Sequence, residues 1–204
     1  MNKRILALIL TFVMVSLAGC GGISSAQIST IYIDKAGKVK SVTVESLSAE
    51  QYQEADLREL VNQAIEEYND KQDTERIILK GLSVKKEQAR LTMEYATSED
   101  YEGFNGRILF SGTVAKAKAA GYDFNTDFID ENEALAKGEV IIKQEDLQVI
   151  ITNEPVQIKT SQDIMYVSVN AVIIDKRAAQ VEAEAGATEN GITFGNSEYA
   201  YIIY

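Results

Sequence analysis

Asp123-Phe124-Asn125-Thr126-Asp127 places oxygen-bearing side chains at alternate positions, the spacing at which a loop can wrap a hard cation such as calcium. The match then stops. The sixth position of such a loop is Phe128, where a tight turn needs Gly, and the twelfth is Ala134, where a bidentate Glu is needed. A calcium site of another make would use Asp123, Asn125, Asp127 and Glu131. The competing reading is a polar loop pinned by Tyr122, Phe124 and Phe128, followed by acids at the positive end of a helix. Ser83 and Lys86 have the spacing of a Ser-x-x-Lys dyad, but that dyad needs a helix and these two fall at a strand end. Gly103 and Gly106 lack the preceding strand and the third glycine of a phosphate-binding loop.

Absences narrow the chemistry further. The chain has no His, which removes Ser-His-Asp triads, His general bases and His-ligated zinc. Its one Cys, Cys20, leaves no partner for an internal disulfide and no thiolate cluster. Catalysis would have to use carboxylates, Lys, Tyr or Ser, or a metal held by oxygen. A carboxylate pair of the glycosidase kind is assembled in space from distant positions, and 31 acids give no way to choose one from the sequence. Ten tyrosines without a Trp could form a stacking surface, yet residues such as Tyr95 and Tyr201 sit in apolar alternation, where core packing is the expected role.

The most specific pattern lies at the N-terminus. Lys3 and Arg4 precede a 13-residue apolar run, Ile5 to Leu17, and Leu17-Ala18-Gly19-Cys20 closes it. The run is short of the ~20 apolar residues that a bilayer span needs and has the length of a signal-peptide hydrophobic region. Leu, a small residue, Gly and Cys in that order resembles the lipobox of bacterial lipoprotein signal peptides. In that family the Cys sulfur receives a diacylglyceryl group and the peptide is cut just before it. The resemblance implies removal of residues 1–19, Cys20 as the lipidated first residue, and a place on the extracytoplasmic face of a bacterial membrane. Two acyl chains on one residue meet the two-signal requirement for stable anchoring. Residues 20–27, rich in Gly and Ser, then read as a short flexible tether reaching at most roughly 25 Å.

Residues 1–19 hold two of the 20 Lys and Arg and none of the 31 Asp and Glu, so the remaining 185 residues carry 18 against 31, a formal charge of −13. Nucleic acid and anionic lipid headgroups are poor partners for that field. The length is enough to bury a real core.

Around these residues the chain divides in two. In residues 28–138, Ile31 and Ile33 alternate with Tyr32, Asp34 to Gly37 supply a turn, and Val42 and Val44 alternate on the return. Ser48 and Gln51 form a capping-box pattern before an amphipathic helix with Leu57, Leu60, Val61, Ala64, Ile65 and Tyr68 on one face. A second hairpin follows, with a bulge expected at Gly81, and it is expected to form the centre of the sheet. Ser98 opens a further helix, Thr113 caps an Ala/Lys helix ended by Gly121, and Asp130 with Glu133 caps another ended by Gly138. Residues 139–204 are β-branched and read as short strands, Val140/Ile142 among them. Ala178 to Ala185 continues as strand, Gly186 to Ser197 is loop-like, and Tyr199 to Tyr204 is too apolar to dangle in water.

The expected fold is α+β, with an antiparallel-rich sheet, one main amphipathic helix and a β-rich C-terminal half. The halves either share one domain or pack as two. The chain as a whole resembles small lipoproteins of Gram-positive bacteria, a resemblance that brings no activity with it. The expected function is a lipid-anchored envelope module that binds or scaffolds an envelope protein or glycan near the membrane. The alternative is a carboxylate-based hydrolase of cell-wall glycan, which demands two carboxyl groups about 5 to 9 Å apart in a cleft.

Overall fold

The computed structural model describes residues 23, 26–47, 53–85, 88–182 and 199–204. Leu17, Ala18, Gly19, Cys20, the capping pair Ser48 and Gln51, Lys86 and the Gly186–Ser197 stretch lie outside the described residues. Among those described, four helices and thirteen strands form an α+β fold in two mostly antiparallel sheets.

Local chemistry accounts for the first elements. β1 (Thr30–Ile33) and β2 (Val39–Ser46) pair antiparallel around Asp34, whose Oδ1 accepts hydrogen bonds from the amides of Ala36 and Lys38. Helix α1 (Glu54–Lys71) is followed by β3 (Ile77–Lys85) and β4 (Gln88–Tyr95), whose register slips between Leu79 and Gly81 as a bulge requires. Helix α2 (Ser98–Asn105) is capped by Thr97, which accepts from the Asp100 amide. After β5 (Leu109–Thr113), Thr113 caps α3 (Val114–Ala119) by accepting from the Lys116 amide.

The segment read as a helix from Asp130 to Gly138 is instead a hairpin of β6 (Asp127–Asp130) and β7 (Leu135–Lys137). Asp130 Oδ1 takes the amides of Asn132 and Ala134, which hold its carboxyl below the usual range, and Glu133 adopts φ +62°. A side-chain oxygen that accepts amides two to four residues on suits a cap and a turn alike. Pairing of Phe128 and Ile129 with Ser168 and Val167 settles it as strand. Val140 and Ile142, read as strand, belong to a single turn, α4 (Gly138–Ile141), with its C-cap at Ile142. Then come β8 (Gln148–Thr152), β9 (Gln157–Lys159), β10 (Tyr166–Ser168), β11 (Ala171–Asp175), β12 (Ala178–Val181) and β13 (Ala200–Ile203).

The first sheet runs β11-β12-β9-β1-β2-β4-β3 and the second β5-β8-β13-β10-β6-β7. The β3–β4 hairpin is therefore not central, because the sheet is extended on the other side of β1 by parallel pairing with β9: Thr30 lies opposite Gln157, Ile31 opposite Ile158 and Tyr32 opposite Lys159. From β8 onward the chain crosses repeatedly between the sheets. Strands from both sides of Gly138 are hydrogen-bonded into each of them.

Three layers result. Ile31, Ile33, Met93 and Ile158 of the first sheet meet Leu109, Ile150, Val167 and Ile202 of the second in one core. The other face of the second sheet, with Val149, Ile151, Tyr201 and Ile203, is covered by Val114 and Ala117 of α3, Ile141 of α4, Phe124 and Phe128. Helix α1 lies along β3, with Arg58 donating to the Leu82 carbonyl and Asn69 to that of Ile77. β3 is an edge strand, so the helix has little sheet to cover: Ile65 is buried while Leu60 is 60% exposed. Asp100, 4% exposed, joins α1, β3 and α2: the Arg76 guanidinium grips both its oxygens, at 3.0 and 2.8 Å, and the Thr97 and Tyr68 hydroxyls donate to them.

Ile158 is fully buried where β9 meets β1. Ile158→Ala is expected to cost about 2–5 kcal/mol of unfolding free energy, read from urea denaturation.

Candidate functional site

The outermost layer holds a cavity of about 610 Å3 whose walls include Asp123, Phe124, Asp127, Lys137, Gly138 and Ile142. Its rim is the loop between α3 and β6. Gly121, at φ +93°, turns the chain out of α3, a conformation that glycine adopts without the clash a Cβ would bring. The Tyr201 hydroxyl, from β13 beneath, donates to the Asp123 carbonyl, and Phe124 packs its ring 5.1 Å from that of Tyr201 and 6.3 Å from that of Phe128. Burial pushes the Tyr201 phenol up, so it stays a donor at any physiological pH.

Gly138 clamps the other side. Its amide donates to the Thr126 carbonyl at 3.1 Å, and a Cβ at this position would fall 1.6 Å from the Phe124 carbonyl oxygen. Only a residue without a side chain permits that approach, which is why Gly stands where β7 gives way to α4.

Three of the four proposed calcium ligands, Asp123, Asn125 and Asp127, line this cavity, and the fourth does not: Glu131 sits exposed in the β6–β7 turn. Three of their oxygens are already engaged. Asp123 Oδ1 accepts from the Asn125 amide at 3.2 Å, and both carboxylate oxygens of Asp127 accept from the Lys137 ammonium, at 2.9 and 2.8 Å. Among the described residues no three Asp, Glu, Cys or His side chains converge as a metal would require. Of the Ser83/Lys86 pair, Ser83 lies on β3 opposite Arg90. Tyr95 and Tyr201 are 3% and 2% exposed, core residues as their alternation implies.

The hydrolase reading asks for a carboxyl kept protonated in a cleft. Burial raises Glu154 above the ordinary glutamate value of 4.5, against the opposing pull of the Tyr101 hydroxyl, which donates to it at 2.8 Å, and of the Arg107 charge. Glu154 lines neither this cavity nor the two others described here.

A small cavity of about 300 Å3 adjoins the first at Asp123, between Tyr122, Tyr199 and Tyr201. A third, about 770 Å3, is a groove on the outer face of the first sheet, floored by Tyr32, Lys40, Thr92, Glu94 and Lys159. Ile23 stands at its edge, and the Ala26 carbonyl accepts from the Arg90 guanidinium. Lys40 and Lys80 reach Glu94 at 3.2 and 3.6 Å, and despite burial they hold its carboxyl below the usual range. The sequence reading missed this face. Its signal is present in the alternation: the register of the strands points Lys40, Lys85, Arg90 and Lys159 to one side, and Lys80, in the bulge, reaches Glu94 on that side. Recognising it requires the order of strands, which is not local information.

Comparison of the chain with protein-family models, with curated proteins and with solved structures finds no match.

Two outcomes follow for stability. Gly138→Ala must push the Phe124 carbonyl away and is expected to cost about 1–3 kcal/mol, measurable by chemical denaturation. Glu154 binds its proton more tightly in the folded chain than in the unfolded one, so its contribution favours folding below about pH 4.5 and is lost as the pH rises through the folded value. Glu154→Gln, which keeps an acceptor for Tyr101, is therefore expected to gain stability relative to the native chain between pH 4 and pH 7 in paired urea titrations; a difference that stays constant would mean that the carboxyl does not carry this dependence.

Proposed function

We propose that this chain is a lipid-anchored protein of the extracytoplasmic face of a bacterial membrane, acting as a module that binds or scaffolds another envelope component. The observation that carries the reading is Leu17-Ala18-Gly19-Cys20 at the end of a 13-residue apolar run behind Lys3 and Arg4. Cys20 is then the acylated residue, and the folded domain follows within a few residues of it.

The cavity beside Asp123 and Gly138 is the candidate binding site. Leu135 and Val140, 64% and 53% exposed, stand two residues or fewer from its lining positions Lys137 and Glu139. Exposed aliphatic side chains next to a concave surface are what a protein partner covers. Asp127, Lys137 and Glu139 supply a polar rim, the arrangement of an interface with an apolar centre. Phe124 and Gly138 fix the floor, so the site is held in shape before any partner arrives.

Cross-linking in living cells through the anchored protein tests the reading. A partner captured by the native chain is expected to fall at least tenfold in yield with Cys20→Ala, and likewise with Leu135→Asp combined with Val140→Asp. Capture indifferent to both changes would remove the basis for an anchored module that works through this cavity.

A further inference from the structure

The outer face of the first sheet is the one broad face of the molecule that, among the described residues, no helix or second sheet covers. Its charge is opposite to that of the rest of the chain. Six basic residues point outward from its strands or line its groove: Lys40, Lys80, Lys85, Arg90, Lys159 and Arg177. Four acids share it: Asp34, Glu94 and Asp175 line the groove, and Asp163 pairs with Arg177 at 2.7 Å. The ten sum to +2, whereas the other residues after position 19 carry 12 Lys and Arg against 27 Asp and Glu. A chain of strongly negative net charge thus has one cationic side. Val172 and Ile78, 48% and 37% exposed, add apolar surface to it.

The N-terminal chain arrives on this same face. Ile23 edges the groove, the Ala26 amide donates to the Ile23 carbonyl at 3.0 Å, and the Ala26 carbonyl is held by Arg90. Cys20 is three residues before Ile23, so the two α-carbons can be at most about 11 Å apart. An acyl anchor on Cys20 would therefore hold this face, not the helical layer, against the lipid.

We propose that the outer face of the first sheet is the membrane-docking surface of the anchored protein, with Lys40, Lys80, Lys85 and Lys159 set against anionic phospholipid headgroups. The inference rests on lipidation of Cys20. It revises the expectation drawn from net charge, since at physiological salt charges are screened beyond about 8 Å and the headgroups respond to the nearest face rather than to the sum. Docked this way, the domain turns α3, α4 and the Asp123–Gly138 cavity away from the membrane, where a partner reaches it. Neither the groove nor its lysines are then a protein-binding site.

The test uses the full, processed chain reconstituted in vesicles of phosphatidylcholine with or without phosphatidylglycerol. Its mass first reports whether Cys20 carries diacylglycerol. An unmodified Cys20 on a chain that does not float with the vesicles defeats both this inference and the anchoring reading beneath it. With the anchor present, fluorophores are placed singly at Val172→Cys, on the docking face, and at Ala119→Cys, at the end of α3, and quenched by headgroup-spin-labelled lipid. Quenching is expected to be several-fold stronger at position 172, and the difference is expected to collapse in pure phosphatidylcholine, at high salt, and in the triple variant Lys40→Gln, Lys80→Gln, Lys159→Gln. Equal quenching at both positions, or a difference that persists unchanged without anionic lipid, overturns the docking inference and leaves the anchor standing. A far-ultraviolet circular dichroism spectrum and a urea midpoint equal to those of the native chain qualify each variant, and Lys40→Gln alone, with a partial loss expected, replaces the triple variant if that one does not fold.

Discussion

The parallel pairing of β1 with β9 is the constraint on which the rest of the molecule depends. It joins residues 30–32 to residues 157–159, and it is the contact through which the two hairpins of the early chain and the late strands β9, β12 and β11 become one sheet. Closing so long a loop has an entropic cost that grows only slowly with length, and the burial of Ile31 and Ile158 between the sheets offsets it. The same pairing dictates the path of everything after Gly138. β9 and then the β11–β12 hairpin join the sheet that β9 has extended, while β8, β10 and β13 join the second sheet, where β13 is flanked by β8 and β10. A chain that appears from composition to be an α+β half followed by a β half is woven into two sheets to which both halves contribute.

With the two sheets facing each other, three surfaces remain to be finished, and each is finished differently. The far face of the second sheet is sealed by short helices and aromatic rings, and there the close approach of Gly138 to Phe124 gives the cavity its shape. The edge at β3 is flanked by α1 and braced by the buried carboxylate of Asp100, which Arg76 neutralises and two hydroxyls satisfy. An anion so well paired at the junction of three elements fixes their relative positions. The outer face of the first sheet is covered, among the described residues, by neither a helix nor the other sheet.

That face carries the segregation of charge. Because successive side chains on a strand point to opposite sides, a run such as Lys40-Ser41-Val42-Thr43-Val44 sends its basic residue outward and its small or threonine residues inward. Repeated on β3, β4 and β9, the alternation collects lysines and Arg90 on one surface, while the six acids of α1 lie on a helix packed at the edge strand. Net charge, summed over the chain, conceals both. A surface sorted in this way suits a protein held close to a second charged surface, where orientation matters as much as affinity.

The amino-acid sequence by itself determined what depends on near neighbours. The Asp34–Gly37 turn, the bulge at Gly81, the Thr113 cap, the exit from α3 at Gly121 and the buried C-terminal strand all follow from residues within a few positions of one another, as does the lipobox resemblance ending at Cys20. Asp130 and Val140 mark the limit of such reasoning: the first accepts amides in a way common to helix caps and turns, and the second alternates as a strand would, so neither could be assigned without its distant partners. The partner of the first, β10, and the close approach of Gly138 to the Phe124 carbonyl, two residues before the second, exist only in the folded chain. The tertiary structure alone decided the order of the strands, the gathering of Asp123, Asp127 and Gly138 around one cavity, and which side of the first sheet faces away from the second. Strand order and layer packing are chosen by contacts between residues far apart in sequence, and local propensity carries no record of them.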